Sequence, residues 1–133
     1  MSSQDQLEVG SLFARLSRVL DEARYDDIGT VYADDIVVRS PKSGEIQGLA
    51  NVIAFLHRNH DNDVLTQHIH GDVLVTMNGD EAEASANQVT YFYRDGAPPH
   101  QTSGLRVAYR ATRTPAGWRF HEGRIDLAWT KKD

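Results

Sequence analysis

The chain has 133 residues, a length that supports one hydrophobic core rather than two. Apolar residues make up 40% and charged residues 25%, which is typical of a folded domain and not of a disordered one. The net charge of −5 gives no basic surface for nucleic acid, and the absence of cysteine excludes disulfides and cysteine-ligated metals. Apolar runs are too short to cross a membrane, and residues 1–5 lack the basic start of a signal peptide. We therefore expect one cytoplasmic domain over residues 1–133, with no nucleic-acid or membrane partner.

The first half of the chain has the apolar spacing of helices. A long amphipathic helix is followed by a short one over residues 26–32, and a third begins after Gly48 and ends near Asn59. Between them, the β-branched residues 36–38 predict a short strand, and residues 41–47 a loop. The apolar face of the first helix consists of Leu12, Phe13, Leu16, Val19, Leu20 and Ala23.

From Val64 onward, the sequence predicts four long strands over residues 64–77, 82–94, 103–114 and 118–129. Asn78 and Gly79 are typical of a tight hairpin turn, because both positions tolerate positive φ. Glycine and proline residues mark the next two breaks. Helices followed by an antiparallel meander predict an α+β fold, with the helices packed on one face of a curved sheet.

Two histidines in the first long strand are the clearest candidates for chemistry. His68 and His70 are two residues apart, so their side chains share a face with Thr66 and Asp72. This polar row either lines a pocket under the helices, forms the wet face of the sheet or belongs to a dimer contact. A His-X-His pair can also bind zinc, but no second ligand pair stands at a known spacing, so we expect no metal. The opposite face is predicted to carry Leu65, Ile69, Val73 and Val75.

Acid–base catalysis needs a group that titrates near neutral pH and a partner that orients it. Histidine supplies the first, and a carboxylate can orient the ring and stabilise its charged form. Signatures of phosphate loops, dinucleotide sites and serine nucleophile elbows are absent. The candidate carboxylates are Asp21, Asp34, Asp35 and Asp72.

Several short motifs follow one another in a characteristic order. They are residues 31–38 (VYADDIVV) with Pro41, Gly48 followed by Ile53 and Phe55, Asn78-Gly79-Asp80 with Ala82, and Gly117-Trp118-Arg119. In this order, over about residues 6–129, the chain resembles the nuclear-transport-factor-two-like superfamily, which includes ketosteroid isomerase, scytalone dehydratase and SnoaL-like polyketide cyclases. The resemblance implies a cone-shaped, cystatin-like α+β fold, with about three N-terminal helices on the concave face of an antiparallel sheet.

The same resemblance implies a site. The catalytic base of ketosteroid isomerase falls on Ser40, so that site is not matched. The SnoaL-like and scytalone-dehydratase-like branch has a histidine about eleven residues before the hairpin glycine, as His68 stands before Gly79. It also has an aspartate at the end of the first helix, here Asp21, preceded by a tyrosine that Leu16 replaces. His68 and Asp21 are thus the implied catalytic pair. Substrate contacts are expected from Leu16, Tyr32, Phe55, Tyr91 and Tyr109.

This branch of the superfamily implies a lyase or isomerase: a cofactor-independent dehydratase, isomerase or cyclase acting on a small hydrophobic ring or polyketide-like substrate. The alternative is a non-catalytic module of the same fold that binds a small molecule or serves for dimerisation. Members of the superfamily dimerise through the open face of the sheet, which predicts a homodimer. We expect Tyr109, Trp129 and the arginines Arg106, Arg110 and Arg113 on that face.

Overall fold

The computed structural model describes residues 3–133, which form an α+β fold with the helices on one face of a curved, unclosed sheet. No helix within that range is long and apolar enough to span a membrane. The helices are α1 (Ser3–Asp21), a 3₁₀ helix (Tyr25–Thr30) and α2 (Leu49–Arg58). The strands are β1 (Tyr32–Ser40), β2 (Gly44–Gln47), β3 (Leu65–Asn78), β4 (Glu81–Tyr93), β5 (Gln101–Thr114) and β6 (Gly117–Lys132).

The first half of the chain differs from the sequence prediction in three ways. The predicted second helix is a 3₁₀ helix, and the strand predicted over residues 36–38 is longer, since β1 also includes Asp34 and Asp35. Residues 41–47, predicted as a loop, contain β2. β1 runs parallel to β6, whereas the other neighbouring strands are antiparallel. The strand order β2-β1-β6-β5-β4-β3 leaves β3 at an edge.

The hydrophobic core lies between α1 and the sheet. Phe13 of α1 and Trp118 and Phe120 of β6 are at most 1% exposed. The ring of Tyr109 stacks on Phe120, with centroids 4.1 Å apart. This ring occupies the space above Gly123, where a Cβ atom would overlap it. Tyr109 therefore faces α1, and the expectation that it lies on the open face of the sheet is wrong.

A bulge in β3 reverses which residues face the helices. Asp72 has a φ of 52°, and the pairing with β4 shifts register between Gly71 and Leu74. Beyond the bulge, Val73 and Val75 point at Gly10 of α1. The expectation that these two valines lie opposite the histidines is therefore wrong. Asp72 does not join the histidine face either; it is exposed and accepts a hydrogen bond from Asn87.

Arg113 ties the start of α1 to the sheet. Its guanidinium contacts the Asp5 carboxylate at 2.8 Å and the Asp80 carboxylate at 3.0 Å, and it lies 5.0 Å from the Trp118 ring. Arg113 therefore lies on the helix side of the sheet, and the expectation that it lies on the open face with Arg106 and Arg110 is wrong. Planar guanidinium groups suit this role because they form several hydrogen bonds to carboxylates in fixed geometry.

Candidate active site

The end of α1 aims Asp21 at β3. Ala23 has a φ of 54°, and two hydrogen bonds close the helix: Ala23 N to Leu20 O at 3.2 Å and Arg24 N to Val19 O at 2.9 Å. These are the bonds of a Schellman motif, with Ala23 in the left-handed position that glycine usually occupies. The helix therefore stops at Asp21, which turns its carboxylate to the neighbouring strand. Ala23 itself is exposed, not on the apolar face where the sequence predicts it.

Asp21 and His68, the pair that the resemblance implies, are in direct contact. His68 Nδ1 lies 2.6 Å from Asp21 Oδ1, and the side chains are 15% and 23% exposed. The same carboxylate accepts hydrogen bonds from the His68 backbone N–H at 2.9 Å and from the Thr66 hydroxyl at 3.0 Å. A carboxylate can only accept, so the Nδ1 nitrogen carries the proton and Nε2 of a neutral ring carries the lone pair. Within residues 3–133, that Nε2 atom has no hydrogen-bond partner.

His70 is held very differently, although it lies only two residues away. Its Nδ1 is 2.9 Å from the Ser17 hydroxyl, and its Nε2 is 2.9 Å from Gln88 Oε1. The ring packs 5.2 Å from Phe13. The pKa of His70 is lowered to about 4, mainly by burial and also by the nearby His68, while Gln88 and Asp21 act in the opposite direction. His70 is therefore neutral at pH 7, with both ring nitrogens engaged.

An open cleft of about 540 Å³ lies between α1 and the edge strand β3. It reaches the Asp21–His68 pair and is bounded by polar and apolar groups on both elements. Arg18 of α1 and Glu22, which follows the end of that helix, stand at its rim. Its inner wall includes Phe13, Ser17, Thr66, His70 and Val73.

The residues expected to bind substrate are not gathered around His68. Leu16 is a core residue, 3% exposed. Tyr32 and Tyr109 are buried and share a hydrogen bond of 2.8 Å between their hydroxyls. Burial raises the pKa of Tyr109 to about 12 and that of Tyr32 well above its ordinary value. Phe55 is half-buried on α2.

Tyr91 lies on the far side of the sheet from His68. Thr90 pairs with His68 and Gln67 pairs with Tyr91, and successive strand residues alternate faces. A contact between Tyr91 and a substrate held at His68 is therefore not supported by the geometry.

Three polar residues near the pair were missed by sequence reasoning. Ser17 and Gln88 hold His70, and Tyr25 lies close enough to Asp21 for the carboxylate to raise the tyrosine pKa, after the larger effect of burial. A signal for Ser17 was present, since Phe13, Ser17 and Asp21 follow one another at the four-residue spacing of one helix face. Gln88 and Tyr25 depend on tertiary contacts that no local spacing shows.

Within residues 3–133, no group of three or more histidine, aspartate or glutamate side chains is arranged to hold a metal ion. The expectations that the chain uses neither a metal nor a cofactor stay predictions.

Comparison with known proteins assigns the class. Residues 1–124 match the family described as the SnoaL-like domain, and the chain therefore belongs to that family. No protein of curated function matches the sequence.

Solved structures share the fold at low sequence identity. The Kfla4162 protein of Kribbella flavida has a TM-score of 0.86 at 19% identity, covering 96% of this chain and 93% of that one. An NTF2-like protein with a cystatin-like fold from Novosphingobium aromaticivorans has a TM-score of 0.78 at 26% identity, covering 94% and 82%. The hexachlorocyclohexane dehydrochlorinase LinA-type3 of Novosphingobium barchaimii has a TM-score of 0.83 at 10% identity, covering 99% and 94%.

Proposed function

We propose that the protein is a cofactor-independent lyase or isomerase that moves a proton with His68. The observation that carries this proposal is the 2.6 Å contact between His68 Nδ1 and the Asp21 carboxylate at the cleft. It orients the ring, fixes the tautomer and leaves Nε2 as the basic atom. A dehydrochlorinase among proteins of this fold is consistent with elimination chemistry, although the low identity extends only to the fold.

The reaction begins when His68 Nε2 takes a proton from a carbon that is made acidic by a neighbouring carbonyl or leaving group. The electron pair of that C–H bond then forms a double bond, either to expel the leaving group or to give an enolate. Asp21 stays ionised and stabilises the imidazolium. Return of the proton to another carbon gives an isomerisation, and its transfer to a departing hydroxyl gives a dehydration.

The substrate class we propose is a small hydrophobic ring or polyketide-like molecule. Val73, which is 39% exposed, supplies apolar surface in the cleft, whereas the polar groups converge on the His68 end. Such a combination suits a largely apolar molecule with one polar reacting end. The second candidate is a binding module without catalysis, which is favoured by the absence of a phenol at Leu16, where the resemblance expects one.

Hydrogen–deuterium exchange at the carbon next to the carbonyl of α-tetralone, followed by NMR in heavy water, tests proton transfer directly. The wild-type protein should accelerate this exchange, and His68→Ala should lose about a hundredfold or more of the enhancement. Asp21→Asn should lose less if Asp21 only orients and stabilises the ring. His57→Ala is the matched control, because His57 is an exposed histidine on α2 paired with Asp26. Binding of α-tetralone without accelerated exchange would favour the binding module.

A further inference from the structure

A chain of four hydrogen-bonded side chains runs from α1 into the sheet beside the proposed catalytic pair. It consists of Ser17, His70, Gln88 and Thr90, with successive heavy-atom distances of 2.9, 2.9 and 3.0 Å. Ser17 is 9% exposed and Thr90 is 3% exposed, so both ends are buried. Proton transfer by His68, with Asp21 as the partner of its ring, does not use any of these four groups.

The chemistry of the groups fixes the direction of the hydrogen bonds. Gln88 Oε1 can only accept, so the proton in its bond to His70 sits on Nε2. The neutral ring then has a lone pair on Nδ1, and the Ser17 hydroxyl donates to it. At the other end, the Gln88 amide donates to the Thr90 hydroxyl oxygen. Every bond points the same way, and such aligned chains polarise the last donor.

The last donor is the Thr90 hydroxyl, which lies next to His68. Thr90 and His68 are direct cross-strand partners on β4 and β3, so their side chains share a face. Residues paired in this way have Cβ atoms about 4.5–5.5 Å apart. Within residues 3–133, the one hydrogen bond of the Thr90 hydroxyl is the one it accepts from Gln88, and its own proton is unused. A donor with an unused proton therefore lies on the same face of the sheet as His68, whose Nε2 is a free acceptor.

We propose that the Thr90 hydroxyl donates a hydrogen bond to an oxygen atom of the substrate while His68 takes a proton from the adjacent carbon. Ser17, His70 and Gln88 are positioning residues that orient and polarise this donor. Charge that develops on the substrate oxygen during proton abstraction is stabilised by such a donor. This inference rests on the proposed function and narrows it.

The inference defines the substrate more closely. The reacting carbon carries a carbonyl or hydroxyl oxygen on the neighbouring atom, as in a ketone or a β-hydroxy ketone of a ring. Because Thr90 is only 3% exposed, the group that reaches it has to be as small as one oxygen atom. A halogenated ring without oxygen can give a proton to His68 but offers no acceptor to the Thr90 hydroxyl. An enzyme strongly rejects a substrate that leaves one of its buried polar groups without a hydrogen bond, so such a ring should be a poor substrate.

The direction of the chain is tested without any substrate. Long-range nitrogen–proton correlation NMR on labelled protein at pH 7 should show His70 as the neutral tautomer protonated on Nε2. In Gln88→Leu, this tautomer should lose its preference. Observation of the Nδ1-protonated tautomer in the wild type would reverse the chain, make Thr90 the donor to Gln88 and overturn the proposal.

The donor role is tested with α-tetralone, whose carbonyl oxygen neighbours the exchanging carbon. Thr90→Val keeps the shape of the side chain but removes the proton, and should reduce the exchange rate by about tenfold or more, the scale of a lost transition-state donor. Thr90→Ser should recover most of the rate. Thr76→Val is the matched control, because Thr76 is an exposed threonine on the other face of the sheet.

The outcomes separate the two proposals. Normal exchange in Thr90→Val together with lost exchange in His68→Ala would overturn the Thr90 donor and leave the proposed function standing. If neither the wild type nor any variant accelerates exchange, the proposed function is wrong. The donor then stands only if α-tetralone, titrated by NMR, binds Thr90→Val more weakly than it binds wild type and Thr90→Ser. Absence of binding to the wild type would contradict both.

Discussion

At the scale of single residues, two histidines of one strand acquire opposite chemistry from their surroundings. His68 Nδ1 lies 2.6 Å from the Asp21 carboxylate, and its Nε2 is free, whereas both ring nitrogens of His70 are hydrogen-bonded, one to the Ser17 hydroxyl and one to the Gln88 amide. The sequence pattern places both on one face, and the structure agrees. The sequence pattern does not show which histidine contacts Asp21, because that depends on where α1 ends. The resemblance to the superfamily selected His68, and spacing alone did not.

The buried state of His70 predicts a pH dependence of stability. Its pKa is about 4 in the folded protein, against an ordinary value of 6.5. Between these two values the unfolded chain binds more protons than the folded one, so the free energy of unfolding falls as the pH drops from 6.5 to 4. After allowance for partial exposure, we expect this residue to account for a loss of roughly 2 kcal/mol over that range.

Urea unfolding measured at several pH values checks this loss. His70→Gln cannot titrate, so its stability should fall much less than that of the wild type over the same range. His57→Gln, at an exposed position, should keep the wild-type slope. Equal slopes for all three proteins would show that His70 is not the group responsible.

At the scale of elements, two residues with positive φ set the geometry of the site. Ala23 ends α1 so that Asp21 meets β3, and Asp72 forms the bulge that brings Val73 and Val75 under α1. Neither residue is a glycine, the residue that marks such positions in a sequence. The face of each α1 residue and the alternation along β3 were therefore predictable only as far as Ala23 and Asp72. Ala23 and the two valines were assigned to the wrong face because the irregularities gave no local signal.

Substitution of alanine by glycine should change the stability of the protein in opposite directions at Ala23 and at Ala54. Ala23→Gly should stabilise the protein by about 1 kcal/mol, because glycine adopts the left-handed conformation of a Schellman motif without steric cost. Ala54→Gly, at an exposed position inside α2, should destabilise by about the same amount, because glycine is a poor helix former. Thermal unfolding of both variants measures the sign. Destabilisation by both would mean that the end of α1 does not have this geometry.

At the scale of the whole molecule, the order of the elements was readable from the sequence, and their long-range pairing was not. The four long strands follow from alternation and from turn residues such as Asn78 and Gly79. The parallel pairing of β1 with β6 and the contact of Arg113 with Asp5 join distant parts of the chain. Such contacts are settled by packing of the complete fold, so composition and periodicity leave them open.

The face of the sheet opposite the helices has the properties of a contact between two copies of the chain. Leu74 is 71% exposed and Trp129 is 50% exposed, with the Trp129 ring over Gly104 on this face. Charges of both signs lie among them, with Arg110 about 4.0 Å from both Glu83 and Glu122. A surface that mixes exposed apolar groups with both charges can match itself across a two-fold axis. The homodimer therefore remains a prediction, with this face as the interface.

Light scattering after size-exclusion chromatography should give twice the chain mass of 14.9 kDa at micromolar concentration. Leu74→Glu introduces a charge that would lose its solvation in the interface, so this variant should shift to the monomer mass. Leu7→Glu is the matched control, because Leu7 is 74% exposed on α1, away from this face, and its variant should stay dimeric. A monomeric wild type would contradict the dimer. If the Leu74→Glu variant stays dimeric, the interface lies elsewhere. The next surface to test would be the outer edge of β3, which has no neighbouring strand within the described sheet and could pair with a second copy.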